Sequence, residues 1–312
     1  MLEPANLHVF TARANPLHWA APHRNWVRFA HHMRDSGVTL TVIECAYGEE
    51  AHRCAIDGVR HIPVRAKTRV WNKENLLNIG VHRTPEAKYI AWIDADVIFR
   101  RDDWALSTVR ALQHYDVVQP WSDAYDLGPN DEHIAHHRSF CRQFFHGAPM
   151  VATSGPYWHG DGGPHVYPHS GYAWAMTRQA FDWVGGLFEQ GGMGSGDHHM
   201  ALALIGEADA SIPASIPDAY RREVKRWESR AVRHINGNIG YVPGTVEHLF
   251  HGRKSDRGYQ SRWDMFVKHG FDPLEDLKRN SHGVLEFASN KPGLRHDFDT
   301  YLQSRNEDFN AA

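Results

Sequence analysis

Residues 89–99, YIAWIDADVIF, constrain the fold most: all eleven are apolar except Asp94 and Asp96. So apolar a run suits a strand covered on both faces, as in the middle of a parallel sheet flanked by helices. The rest of the chain agrees. Further strands are predicted at 7–11, 38–47, 117–119, 171–176 and 239–242, rich in β-branched and aromatic residues and bounded by turn formers. Helices alternate with them. One opens at Pro22, aligns Trp26, Phe29, Ala30 and Met33, and ends at Gly37. Others are predicted at 72–83 behind Asn72, after Asp102 or Asp103, after the cap Thr177, after Asp197, and near 218–233. Residues 120–170 break the rhythm and read as long loops with one helix at 131–145. A polar helical tail ends the chain. Strands alternating with helices imply an α/β sandwich with a mostly parallel central sheet.

Composition narrows function less than fold. With 34 Lys and Arg against 37 Asp and Glu, the net charge of −3 gives no global positive field for nucleic acid. No run approaches the roughly 20 apolar residues of a membrane span. Cys45, Cys54 and Cys141 form no CxxC pair and fit reduced structural thiols. The expectation is a soluble, cytoplasmic protein. Histidine is the outlier at 24 residues, which directs attention to metal ligation and acid–base chemistry.

Three segments carry candidate chemistry. Asp94 and Asp96 interrupt the apolar run at i and i+2, positions that share a face on an extended backbone. Buried carboxylates need a cation or strong donors to stay ionised, and open α/β sheets bind ligands at the carboxyl ends of their strands. A Mg²⁺ or Mn²⁺ ion bridging two phosphates suits such a pair. Capping of the strand and the next helix is the plainer alternative. Residues 185–200, GGLFEQGGMGSGDHHM, place four spaced glycines, Gly191, Gly192, Gly194 and Gly196, ahead of Asp197. Such a loop lets backbone approach a ligand, and a helix N-terminus favours ionised Asp197. Asp197 is then a general base for an incoming hydroxyl, or simply an N-cap. The run lacks the Lys-Ser/Thr ending of a P-loop. In residues 247–252, EHLFHG, His248 and His251 stand three apart and can share one cation. Arg253, Lys254 and Arg257 follow at once, supplying positive charge for a diphosphate. Imidazole beside carboxylate favours Mn²⁺ over Mg²⁺. A purely structural role stays open for His248.

In this order the segments resemble the GT-A-fold glycosyltransferases, in particular the metal-dependent inverting β-1,4-galactosyltransferases and related family-two-like enzymes. Residues 71–80, WNKENLLNIG, are similar to their F-N-R-A-K-L-L-N-V-G segment, and Asp94-Ala95-Asp96 falls at their D-V-D. Residues 192–197, GMGSGD, fall at their G-W-G-G-E-D, and His248-Leu249-Phe250-His251 at their M-x-x-H metal pair. The resemblance implies a GT-A (Rossmann-like) three-layer sandwich over residues 1–260, with a donor half of about 1–120, an acceptor half of about 121–260, and a helical extension at 261–312. It implies that Asp96, His251 and His248 hold Mn²⁺ (or Mg²⁺), and that Asp94 sits near the ribose or shares the metal. Thr11, Arg13 and Glu44 would line the nucleotide pocket, Lys73 would approach the donor, and Asp197 would be the base. The implied donor is a nucleotide-sugar, UDP-linked. Met193 stands where those enzymes have a tryptophan and Gly196 where they have an acid, so their sugar specificity does not transfer.

The acceptor stays open among a glycan, a lipid-linked sugar, a protein and a modified DNA base. Trp121, Tyr125, Tyr157, Trp158 and Tyr172 are candidates to stack on sugar rings. Two other classes compete. Asp197-His198-His199 spells the DHH triplet of metal-dependent phosphoesterases, and a non-catalytic nucleotide-sugar- or carbohydrate-binding module needs no base at all.

Overall fold

A computed structural model describes residues 2–151, 168–259, 261–288 and 290–309. The chain runs through β1 (Leu7–Ala14), α1 (Ala20–Asp35), β2 (Thr39–Tyr47), β3 (Arg60–Ala66), α2 (Lys73–His82), β4 (Tyr89–Ile93), β5 (Val97–Phe99) and α3 (Trp104–Ala111). Next come β6 (Val117–Gln119), β7 (Asp123–Leu127), β8 (His133–Ser139), α4 (Phe140–Phe145), β9 (Pro168–His169), β10 (Ala173–Thr177), α5 (Arg178–Val184) and α6 (Gly196–Ala203). It ends in α7 (Asp218–His234), β11 (Ile239–Tyr241), β12 (Thr245–His248), α8 (Arg262–His269), α9 (Pro273–Asp276), β13 (Leu277–Arg279), β14 (Leu285–Phe287) and α10 (Pro292–Ser304).

Seven strands form one sheet in the order β11-β6-β10-β4-β1-β2-β3. All neighbours are parallel except β10, which opposes both β4 and β6. Because successive strand residues point to opposite faces, a strand sandwiched between helices is buried on both sides and mostly apolar, and a polar residue such as His8 finds a partner there, Thr41 Oγ1 at 2.7 Å. Val9, Val42 and Ala91 pack with Trp26, Phe29 and Trp104 of α1 and α3. Phe10, Ile43, Ile90 and Trp92 pack on the other side with Leu76 of α2, Phe181 of α5 and Trp227 of α7. The three-layer α/β architecture expected from the alternation is therefore present. α2 lies flush on the sheet at Gly80, where a Cβ would meet Ile43 Cδ1 at 2.5 Å.

Three expectations need correction. The run 89–99 is two strands: β4 stops at Ile93, the chain turns through 94–96, and β5 joins a second sheet ordered β5-β12-β7-β8-β9. Residues 123–139, expected as loop and the start of a helix, supply β7 and β8 of that sheet; helix begins only at Phe140, where Ser139 Oγ accepts from Arg142 N. β3 was not foreseen, since Pro63 interrupts it, which an edge strand tolerates. In the tail, the helices α8, α9 and α10 enclose a β13–β14 hairpin.

Candidate metal centre and donor cavity

The break after β4 builds the site. Asp94 N donates to Tyr172 O and Leu249 N donates to Asp96 O, both at 2.8 Å, tying the turn to the segments beside β10 and β12. The two carboxylates then diverge. Asp94 Oδ1 meets Lys73 Nζ at 2.5 Å, at the start of α2. Asp96 Oδ2 lies 3.0 Å from His251 Nε2 and 3.7 Å from His248 Nε2. The ligand atoms of Asp96, His248 and His251 all fall within 4.8 Å of one another. Asp94 stands outside this group, which departs from the expected share of the metal and leaves its other expected place, beside the ribose. Residues i and i+2 share a face only on an extended backbone, and Lys73 holds the Asp94 carboxylate.

Two further buried carboxylates orient the rings. His248 Nδ1 lies 2.8 Å from Asp126 Oδ1, and His251 Nδ1 lies 3.3 Å from Glu307 Oε2. With the Nδ1 proton assigned to each carboxylate, both Nε2 lone pairs face Asp96. Two acceptors 3.0 Å apart need a proton or a cation between them, and Arg257 Nη2 donates to the same His251 Nε2 at 2.9 Å. Adjacent ligands in an octahedral shell of about 2.1 Å radius lie about 3 Å apart, so the spacing suits a divalent ion. Asp96 Oδ1 is also buried with no hydrogen-bond partner among the described residues. Burial pushes the Asp96 carboxyl up, but the positive charge that the surrounding His248, His251 and Arg257 can place beside it outweighs burial and holds the group below the usual range. An ionised carboxylate with one free oxygen and two oriented imidazoles fits Mn²⁺ or Mg²⁺.

Asp94, Asp96, Asp197, His248 and His251 line one cavity of about 610 Å³, together with Lys73, Arg13 and Arg257. Arg13 Nε, Asn72 Nδ2, Arg257 Nε and Arg262 Nε are buried without a hydrogen-bond partner among the described residues, and all four side chains line this cavity. Unmet donors, three of them on guanidinium groups, suit an anion rich in acceptors. Lys73 stays charged: burial works against its charge, but Asp94 and Asp197 outweigh that and raise its pKa.

Opposite these groups the glycine-rich loop delivers Asp197. Gly194 adopts φ +97°, closed to other residues at little cost. Asp197 lies in the first turn of α6 and its Oδ1 accepts from His198 N at 2.9 Å. Burial raises its pKa above the usual Asp value, Lys73 opposes, and Asp94 adds to the rise. A larger residue at Gly196 would displace Glu74, because a Cβ there would sit 2.6 Å from its carboxyl. Glu74 is buried against the cavity, and burial pushes it up to about 7, against the pull of Lys73.

Other expected residues fall elsewhere. Thr11 is fully buried in β1, short of the strand end where Arg13 emerges. Glu44 lines a smaller cavity of about 230 Å³ that shares Arg13, Asn15 and Trp19 with the main one. Its carboxylate is taken up by Arg53 N at 2.6 Å, Cys54 N at 3.0 Å and His61 Nε2 at 2.8 Å. Arg253 turns onto the Phe309 ring, 3.6 Å from its centroid, and does not reach the cavity. Met193 and Trp121 are core residues, and Tyr125 stacks between His133 and His136. Tyr172 does line the cavity, with its hydroxyl donating to Asp126 Oδ1 at 2.8 Å. Tyr157 and Trp158 lie outside the described residues. His199 is spent on Ser211 and Tyr220, at 2.7 and 3.0 Å. The DHH triplet therefore makes no metal group among the described residues.

Sequence reasoning missed Asp126, Glu307, Glu74 and Arg262. Asp126 carried a signal: DAYDL alternates as a half-buried strand does, with an acid at an inward position. No described helix is long and apolar enough to cross a membrane.

No protein-family model and no curated protein matches the sequence. Solved structures similar to it include a mutant Drosophila β-1,4-galactosyltransferase 7 in complex with manganese, UDP-Gal and xylobiose. That chain is 10% identical, with 91% of this chain and 95% of that one covered and a TM-score of 0.40. A mannosyltransferase from Pyrobaculum calidifontis in complex with GDP-Man and Mn²⁺ is 13% identical, with 96% and 72% covered and a TM-score of 0.44.

Proposed function

We propose that this protein is a metal-dependent inverting glycosyltransferase of the GT-A type, moving a sugar from a UDP-linked donor to an acceptor hydroxyl. One observation carries the reading: Asp96, His248 and His251 meet around a point in the same cavity as Asp197 and several unpartnered cationic donors. Mn²⁺ or Mg²⁺ held by those three residues would neutralise charge building on the diphosphate. Arg257 and Arg262 offer N–H groups to the same oxygens. Arg13 and Asn72 face the nucleoside side, where the smaller cavity takes the base and Glu44 fixes its wall by holding the backbone at 53 and 54. Asp197 accepts the proton of the acceptor hydroxyl while that oxygen bonds to the anomeric carbon. The bond from that carbon to the diphosphate oxygen breaks in the same step, so the configuration inverts. Lys73 keeps the neighbouring charges of Asp94 and Asp197 compatible.

In this reading residues 1–120 form the donor half, 121–260 bring the base and the histidines, and 261–312 close the cavity from the C-terminal side. The acceptor is a hydroxyl-bearing glycan, lipid-linked sugar, protein or modified base. The test is a panel of nucleotide-sugars with Mn²⁺, scored by nucleotide release and by protection against heat. UDP-sugar turnover that requires Mn²⁺ and is lost in Asp197→Asn supports the proposal. Donor binding without turnover in either protein would identify a binding module, and phosphoester hydrolysis without a sugar donor a phosphoesterase.

A further inference from the structure

The chain returns to the metal centre after α10, 56 residues beyond His251. It turns at Asn306, in the left-handed region that Asn tolerates (φ 42°). Contacts on three sides hold residues 305–309 in place. Asp308 accepts from Ala20 N at 2.8 Å and Ala21 N at 2.7 Å, capping the exposed start of α1. The Arg253 guanidinium lies on the Phe309 ring. Gly252, next to the ligand His251, packs so closely that a Cβ would lie 2.7 Å from Asn306 O. Arg305 stacks over Trp71 at 4.7 Å and its Nε donates to Glu307 Oε1 at 2.6 Å. Between these anchors Glu307 is buried, with Oε2 facing His251 Nδ1.

We propose that residues 305–309 are a strap belonging to the metal centre, with Glu307 the positioning residue for the ligand His251. Asp126 does the same for His248 from inside the second sheet. Glu307 fixes which His251 nitrogen carries the proton and aims the other at the ion, and Asp308 fixes Glu307 by clamping the strap to α1. The inference rests on the metal-binding reading above. It adds that a segment remote in sequence sets the metal affinity.

The test is a Mn²⁺ titration of metal-free, full-length protein, with free Mn²⁺ followed by electron paramagnetic resonance. Glu307→Gln keeps the shape and is expected to weaken Mn²⁺ binding about 10–100-fold; Asp308→Ala is expected to weaken it by a smaller factor. Against a His251→Ala background, Glu307→Gln is expected to have no further effect, which a merely structural role would not produce. Unfolding midpoints of the metal-free variants identify any loss due to misfolding. Wild-type affinity in a folded Glu307→Gln protein, or additive losses in the double variant, overturns the strap alone. A wild-type protein that binds no Mn²⁺ overturns the metal reading and the strap with it.

Discussion

Glu74 is buried between Lys73 and the loop that delivers Asp197, and burial moves its pKa from the ordinary 4.5 to about 7. The folded state thus favours the neutral acid. Below about pH 4.5 the carboxyl is protonated both folded and unfolded, and burial of the charge costs nothing. Between 4.5 and 7 the unfolded chain ionises more readily, so stability falls as pH rises; above 7 the cost is complete. At about 1.4 kcal/mol per pKa unit, the full cost is about 3.5 kcal/mol. Glutamine has the same shape and no charge, so Glu74→Gln is expected to escape it. Thermal unfolding of both metal-free proteins between about pH 5 and 8 measures the difference. The gap should be small near pH 5 and reach roughly 7 °C in favour of the variant near pH 8, taking roughly 2 °C per kcal/mol at this chain length. A gap independent of pH, or one favouring wild type in the alkaline range, would refute the placement of Glu74 as a buried acid.

Mn²⁺ at about 100 times its dissociation constant should stabilise the protein by about 2.7 kcal/mol, an increment that chelator removes and His251→Ala lacks, as read by melting temperature. Asp197→Asn should lower turnover about 10²–10⁴-fold while donor binding persists, read by single-turnover kinetics and calorimetry. Because the raised pKa of Asp197 delays its ionisation, the acid limb of the wild-type rate profile should lie above the usual Asp range, with activity rising as pH rises. Gly80→Ala should cost about 1–3 kcal/mol in urea unfolding, since its Cβ would press on Ile43 Cδ1 and Cγ1 and on Phe10 Cδ1, in a fully buried core with no space for those side chains to move into.

The central sheet and its two helical layers were legible because two-sided burial leaves a mark: β4 is apolar throughout, and β1 and β2, buried along most of their length, are mostly apolar. The second sheet was not. β7 and β8 carry Asp123, Asp126, His133 and His136, polar groups that hydrogen-bond within the fold and so imitate a loop in sequence. Within the site, Asp96, His248 and His251 could be named because ligand types recur at short spacing. Glu307 could not, since its tie to His251 spans 56 positions and exists only through the course of α10. That Asp94 and Asp96 diverge was not legible for a local reason: their shared face presumed an extended backbone, and the chain turns there between two sheets.

The most direct test of the metal-centred mechanism is calorimetric titration of UDP with and without Mn²⁺, on wild type, Asp96→Asn and Asp94→Asn. Mn²⁺-dependent UDP binding is expected in wild type and its loss in Asp96→Asn, with Mn²⁺ binding unimpaired in Asp94→Asn. UDP binding indifferent to Mn²⁺, or undiminished Mn²⁺ binding by Asp96→Asn, would contradict the mechanism.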